Sequence, residues 1–201
     1  DNISVTSMLQ QTDYEESSAI FYAYWNVGLD PETGLGLFGY PGKYDGGEES
    51  LIWDTVVNGS FSALGREHQF NLGVNLADND HSTLDSAALT GFDEMPAYPG
   101  WRGHEVPWPT WATPIEAARD DMSLNRIYGS LLLSLTDELN LILGMSKVDY
   151  ENEGASWGVS TDSNEDGGSP YVGFTWEVAN GLNLYGSYSD IYQPQYYLDE
   201  D

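Results

Sequence analysis

Residues 70–76 read Phe70-Asn71-Leu72-Gly73-Val74-Asn75-Leu76. Successive side chains of an extended chain point to opposite sides, so Phe70, Leu72, Val74 and Leu76 share one face and Asn71, Gly73 and Asn75 the other. A strand with one apolar face and one small, polar face is the unit from which the chain is built. Leu139, Leu141, Leu143 and Met145 repeat it. Val172, Phe174, Trp176 and Val178 stand opposite Tyr171, Gly173, Thr175 and Glu177, and Leu182, Leu184, Gly186 and Tyr188 opposite Asn183, Tyr185, Ser187 and Ser189. The period predicts strands over 2–14, 49–61, 69–78, 125–135, 139–150, 169–178 and 182–192. Residues 18–27 either extend the first strand or form a further arm.

The connections divide into two kinds. Gly65-Arg66-Glu67-His68, Thr136-Asp137-Glu138 and Ala179-Asn180-Gly181 are tight polar turns. Each is followed by the same phrase: Phe70-Asn71-Leu72, Leu139-Asn140-Leu141 and Leu182-Asn183-Leu184. This weak internal repeat reads as the hairpins of a meander. The connections 27–48, 79–124 and 151–168 are long by comparison. In an up-and-down meander alternate connections lie at the same end, so Gly65, Asp137 and Asn180 are predicted together at one end and the long loops at the other. The fold class expected is all-β, an antiparallel up-and-down meander.

Composition narrows the function. Acidic residues number 33 and basic ones 6, a formal charge of −27, which excludes a broad basic face and with it nucleic acid as a partner. Cys is absent, so disulfides and thiolate metal sites are excluded. No run approaches about 18 apolar residues, so no transmembrane helix is expected. The 14 Tyr and 7 Trp argue against an acidic disordered chain. The chain opens at Asp1 without a charged or apolar leader, and Tyr196 to Asp201 reads as loop. A piece of a longer protein is expected, a mature secreted protein being the alternative.

Two architectures share this alternation. A soluble β-sandwich or barrel turns its apolar face inward, whereas a transmembrane β-barrel turns it to lipid and keeps a hydrated lumen. The Gly, Ser and Asn of the polar face suit a lumen, and strands of about 9–11 residues suit a tilted crossing. Trp53, Tyr128, Tyr150, Tyr171, Trp176 and Tyr188 at strand ends suit an aromatic girdle. The membrane reading puts Phe70, Leu72, Val74, Leu143, Phe174, Trp176, Leu184 and Tyr188 on the convex, lipid-facing side.

Several phrases carry a family likeness. Asn58-Gly59-Ser60-Phe61, then Leu64-Gly65-Arg66-Glu67-His68, then Phe70 to Asn75, resembles a hairpin of TonB-dependent siderophore receptors. Leu133-Ser134-Leu135-Thr136-Asp137 with Leu141-Ile142-Leu143-Gly144 is similar to that family's next hairpin. Ser169-Pro170-Tyr171-Val172-Gly173 and Asn183 to Gln195 resemble its most recognisable barrel phrase. Trp101-Arg102-Gly103 and Pro107-Trp108-Pro109-Thr110-Trp111 resemble one of its extracellular loops. The likeness runs in order from about residue 49 to 195. It implies that residues 1–201 are part of a 22-stranded transmembrane barrel whose lumen holds a plug domain. The plug and the closing strands would lie outside this stretch. It further implies a receptor in the outer membrane of a Gram-negative bacterium, importing ferric siderophores with energy from the inner-membrane TonB complex acting through the plug. No resident cofactor is implied, the ferric siderophore being the transported ligand. A soluble secreted β-protein binding carbohydrate through Trp and Tyr is the alternative, and a general porin a third reading.

Residues that could carry chemistry are few. His68, His81 and His104 are widely spaced and no nucleophile elbow is present, so no enzyme is expected. His68 reads as a turn-stabilising residue. Asp162-Ser163-Asn164-Glu165-Asp166-Gly167 opens like a calcium loop, but its twelfth position is Gly173 rather than Glu, so an acidic solvated loop is the preferred reading. The segment 79–124 holds Tyr98, Trp101, Trp108 and Trp111 among five prolines. Rigid aromatic area on a proline-stiffened loop suits a compact organic chelate. Tyr98, Trp101, Trp108 and Trp111 are therefore the candidate ligand contacts, with Tyr185 deeper in the lumen. Packing of the loop against itself is the competing role.

Overall fold

The computed structural model describes residues 2–25, 28–98, 100, 102 and 106–193. Eight strands form one antiparallel sheet: β1 (Ile3–Trp25), β2 (Leu37–Ala63), β3 (Arg66–Asp85), β4 (Ile115–Ser134), β5 (Leu139–Ser156), β6 (Val159–Ser160), β7 (Ser163–Ala179) and β8 (Leu182–Ser189). Neighbours in sequence are neighbours in space, in the order β1-β2-β3-β4-β5-β7-β8, with the two-residue β6 folded onto β5. The turns holding Gly65, Asp137 and Asn180 therefore lie at one end, as the loop lengths predict. No described helix is long and apolar enough to cross a membrane, a statement that says nothing about strands.

The register aligns the apolar residues across the whole sheet. Trp53 pairs with Leu9 and Leu76, Val57 with Val5 and Leu72, Leu131 with Phe70 and Leu143, and Trp176 with Leu139 and Leu184. The opposite face carries Ser4, Asn58, Asn71, Ser130, Gly144 and Thr175 at the same heights. Among the described residues no second sheet covers the apolar face. Leu72 is 54% exposed and Trp176 47%, and Leu143, Phe174, Leu184 and Tyr188 are exposed as well. Phe70 and Val74 are half-buried by their neighbours. A soluble sandwich buries such a face against a second sheet, so this exposure favours the membrane reading over the soluble one. From Phe61 to Leu51 the apolar band spans ten residues of β2, about 33 Å along the strand and about 25 Å in height at a tilt near 40°, the thickness of a hydrocarbon belt.

Three sequence expectations change. The strand expected over 182–192 ends at Ser189, whereas strands β1 to β5 are longer than the alternation indicates, because Tyr14 to Trp25, Leu37 to Ser50, Asn79 to Asp85, Ile115 to Leu124 and Glu151 to Ser156 stay paired, with one bulge between Thr83 and Leu84. Both faces there meet water, so the ladder continues without an apolar-polar code. Residues 18–25 accordingly extend the first strand. The connections shrink to those between Trp25 and Leu37 and between Asp85 and Ile115, and to a tip at Trp157 and Gly158. Ser163 to Gly167 lie in β7, not in a solvated loop, and their side chains alternate between faces. Of the six girdle residues, Trp53, Trp176 and Tyr188 share the apolar face, but Tyr128, Tyr150 and Tyr171 stand at positions of the polar face. Gly73 leaves room there: a Cβ on it would lie 2.2 Å from the Tyr128 ring.

The short-turn end is tightly stitched. Leu64 and Gly65 both have positive φ, 54° and 75°, the geometry of a type I′ hairpin. His68, 6% exposed, accepts the Ser134 N–H at Nδ1 (3.2 Å), which leaves Nε2 as donor to the Ala63 carbonyl (3.1 Å). Its ring lies 5.1 Å from that of Phe61. This is the turn-stabilising role the sequence suggests, extended to the next hairpin.

Candidate functional site

Above the apolar band the sheet continues as a hydrated wall, and the long-loop end is where the chain folds over itself. Ser86 prolongs the β3 ladder by donating to the Lys43 carbonyl at 2.9 Å, after which 87–90 pairs with 110–112. The chain then returns to β2. Met95 N–H donates to Leu37 O (2.7 Å) and Gly39 N–H to Asp93 O (3.2 Å), so 93–95 occupies the edge that β3 has vacated. Met95, 4% exposed, is buried, as are Ala118 and Tyr150.

The sequence-based contacts separate into two groups. Trp108 and Trp111 line a cavity of about 260 Å³ with Ala19, Ile20 and Phe21 of β1, closed by Val106, Pro107 and Pro109. Ala19 and Phe21 project from the side that carries Val5 and Leu9 lower on β1, and Trp108 remains 74% exposed. Tyr98 anchors the loop through its N–H to the Gly34 carbonyl at 2.7 Å, its side chain exposed. Trp101 lies outside the described residues, as do His104 and 194–201. Tyr185 is on the polar face and 84% exposed, but it pairs with Thr175 and so lies near the short-turn end, level with Asn140 and Ser134. Roughly 60 Å of strand separates that row from Ser86, so one compact chelate does not reach both.

The composition of 27–48 hides a second aromatic surface. Tyr22 pairs with Tyr40 and Tyr24 with Phe38, all on the polar face, and Phe92 stands beside Tyr40 where the loop adds to β2. Ring centroids are 5.9 Å apart for Tyr24 and Tyr40, 6.1 Å for Tyr24 and Phe38, and 6.0 Å for Tyr40 and Phe92. Tyr44 continues this surface and meets Trp157 edge-on at 6.2 Å. Burial, then the neighbouring Asp85 carboxylate, hold the Tyr44 hydroxyl above its ordinary pKa. Trp157 itself has φ 52°, with Gly158 at 82°, a type I′ tip like Leu64-Gly65. The signal in the sequence is the spacing of two between Tyr22 and Tyr24 and between Phe38 and Tyr40, with Tyr44 four residues on.

A polar network fixes the Trp157 hairpin. Asp120 Oδ1 accepts from Thr161 Oγ1 and from Asn152 Nδ2 (3.2 Å), and Asn152 Nδ2 also donates to Thr161 O at 2.7 Å. Asp162 Oδ1 accepts the Gly154 N–H at 2.8 Å, and that bond, foremost, holds its carboxyl below the usual range. No group of three or more His, Cys, Asp or Glu side chains among the described residues is arranged to hold a metal ion.

A lipid-facing band, a hydrated opposite face, short turns at one end and an aromatic wall at the other define the wall of an outer-membrane β-barrel. A family model described as TonB dependent receptor-like, beta-barrel matches residues 4–199, and the chain belongs to that family. It is 30% identical over 155 residues to the ferripyoverdine receptor of Pseudomonas aeruginosa, covering 76% of this chain and 18% of that protein. It is 26% identical over 189 residues to the ferric-pyoverdine BN7/BN8 receptor of Pseudomonas putida, covering 83% of this chain and 22% of that protein. The chain thus spans about a fifth of the length of the curated relatives it matches. The structure of P. aeruginosa FpvA bound to heterologous pyoverdines superposes with a TM-score of 0.81 at 25% identity, over 96% of this chain and 25% of that one. The alcaligin receptor FauA of Bordetella pertussis shares the fold, with a TM-score of 0.57 at 17% identity.

Proposed function

We propose that the protein is an outer-membrane receptor that takes up a ferric siderophore, of pyoverdine type, by TonB-dependent transport rather than by catalysis. The observation that carries the reading is the likeness to ferripyoverdine receptors over three quarters of the chain, joined to an exposed aromatic wall at the long-loop end. In this reading the wall formed by Tyr22, Tyr24, Phe38 and Tyr40 meets the chelate first. Trp108, Trp111 and Tyr98, with Trp101 on the same loop, supply contacts at the rim. Tyr185 faces the transported complex at a later, deeper stage of passage. The inner-membrane TonB complex acts through a part of the receptor beyond these strands, and no resident cofactor takes part.

The test is uptake of 55Fe-labelled ferric pyoverdine by cells whose only siderophore receptor is the full-length protein. Accumulation that stops when the proton-motive force is collapsed supports the proposal. Accumulation equal to that of receptor-free cells, for every ferric siderophore supplied, overturns it.

A further inference from the structure

The aromatic wall has a defined electrostatic surrounding. On its own face stand Glu16, opposite Gly46, Glu48, opposite Tyr14 and His81, and Asp85, opposite Tyr44. Glu94 joins them opposite Phe38. Asp85 is level with Tyr44, Glu16 lies two residues below it along the ladder and Glu48 four, and the Tyr14 hydroxyl donates to Glu16 Oε2 at 3.3 Å. The lysine and arginine of the adjoining strands point elsewhere. Lys43 lies on the opposite face, 3.7 Å from Asp45, and Arg119 lies on that face too, within 3.5 Å of Glu116 and 4.0 Å of Asp121. Within the described strands the one lysine or arginine on the hydrated face is Arg126. It stands over the Tyr128 ring at 5.1 Å, in the row of Asn75 and Asp54. That row is ten residues below Tyr44 on β2, roughly 33 Å along the strands.

We infer that this wall receives the cationic portion of the ferric chelate, and that the receptor discriminates against polyanionic chelates. Tyrosine and phenylalanine faces are electron-rich and attract ammonium or guanidinium groups held against them. Carboxylates beside the rings, Asp85 and Glu94, and just below them, Glu16 and Glu48, add charge attraction, and the same carboxylates repel a ferric tris-catecholate, which carries three negative charges. A ferric tris-hydroxamate or mixed chelate bearing a free amine has the matching chemistry: a compact body for the rings and a positive group for the carboxylates. The inference rests on the siderophore-receptor reading and specifies the charge of its ligand.

The experiment uses the full-length receptor in detergent and three probes: ferrioxamine B, which carries a pendant ammonium, its N-acetylated form, which does not, and ferric enterobactin, a tris-catecholate trianion. Binding is read by quenching of tryptophan fluorescence. The expected result is about tenfold tighter binding of ferrioxamine B than of its acetylated form. The preference collapses in the double variant Glu16→Gln and Glu48→Gln and persists in Asp121→Asn, whose side chain lies on the opposite face. Heat-modifiable mobility on gels establishes that each variant is folded. Equal affinity for the first two probes overturns the inference, and so does tighter binding of the trianion, an outcome that leaves the siderophore reading intact. Binding of ferric pyoverdine but of none of the three overturns the inference alone, and binding of no ferric siderophore overturns both.

Discussion

Arg66 Nη1 lies 2.8 Å from Asp137 Oδ1 and joins the β2–β3 turn to the β4–β5 turn across 71 residues of sequence. The Asp137 side chain is 86% exposed, so the pair is well solvated and is worth about 0–1 kcal/mol. His68, one residue beyond Glu67 in the same turn, is buried and bonds at both ring nitrogens. Replacing it by Phe leaves the Ser134 N–H and the Ala63 carbonyl without these partners, at about 1–3 kcal/mol. Urea unfolding of the intact receptor in detergent is expected to rank His68→Phe as clearly more damaging than Arg66→Ala. The reverse order would mean that the ion pair, not the imidazole, holds the turns together.

Leu72 sits in the row of Val57 and Gly129, near the middle of the apolar band, and its neighbour Asn71 points to the hydrated side. Arginine at Leu72 should cost about 2–4 kcal/mol in a bilayer, while arginine at Asn71 should cost well under half of that. Folding yield into lipid vesicles measures both. Equal penalties would show that the two faces are assigned wrongly.

Asp13, Glu49, Asp80, Asp121 and Glu153 stand directly opposite one another on five consecutive strands, on the outer face. Like charges so placed repel, because cross-strand Cβ atoms lie about 4.5–5.5 Å apart. Asp80→Asn, in the middle of the row, should stabilise the intact receptor by about 0.5 kcal/mol at low salt, and the gain should shrink as salt rises. A loss of stability at low salt would indicate that these carboxylates hold counter-ions closely enough to cancel their repulsion.

Truncating Tyr24 and Tyr40 to Ala should weaken ferric-siderophore binding more than truncating Trp108 and Trp111, since the first pair faces the hydrated side and the second lines a cavity with Ala19 and Phe21 on the other. Each lost aromatic contact is worth about 0.5–1.5 kcal/mol, or about two- to twelve-fold in affinity. Titration of equal amounts of folded variant receptor decides the order. A larger loss for the Trp pair would move the ligand to the loop.

The Asp162 carboxylate accepts from Gly154 N–H only when ionised to full effect, and its pKa in the folded chain is below the ordinary 3.8. The contribution of this contact is therefore complete above the unfolded value and is lost as pH falls through the lowered one. Amide exchange at Gly154, corrected for its intrinsic pH dependence, should stay protected near pH 5 and lose protection in stronger acid. Asp162→Asn should flatten that dependence. A profile unaffected by the substitution would assign the protection to the backbone ladder alone.

How much of this could be read in advance followed from the solvent on each face. Between Leu51 and Phe61, or Phe70 and Leu76, lipid on one side and water on the other imprint a strict period of two, and strands, turns and facing were legible. Above Ser50 water lies on both sides, the period fades, and residues such as Asp45, Gly46 and Gly47 looked like loop although they are fully paired. The aromatic wall was missed for this reason: Tyr22, Tyr24, Phe38 and Tyr40 share a face only once the strands are known to continue. Tyr128, Tyr150 and Tyr171 misled in the opposite sense, since residue type near a strand end does not say which way the side chain points.

The sheet is one side chain thick on either side, and few of its apolar side chains, Met95, Ala118 and Tyr150 among them, are buried. In a globular interior each side chain must fit fixed neighbours, so volume and shape are both under constraint. Leu72 or Val57 instead faces fluid acyl chains, which rearrange around whatever is put there. The surrounding bilayer is thus a solvent that supplies half of the missing interior without imposing a template. Isoleucine, phenylalanine or methionine at such a position should be nearly interchangeable. A superposition at TM-score 0.81 with a quarter of residues identical is the relation such a wall permits: its architecture is written in the backbone ladder and the polarity of each face, and its outer vocabulary is free to drift.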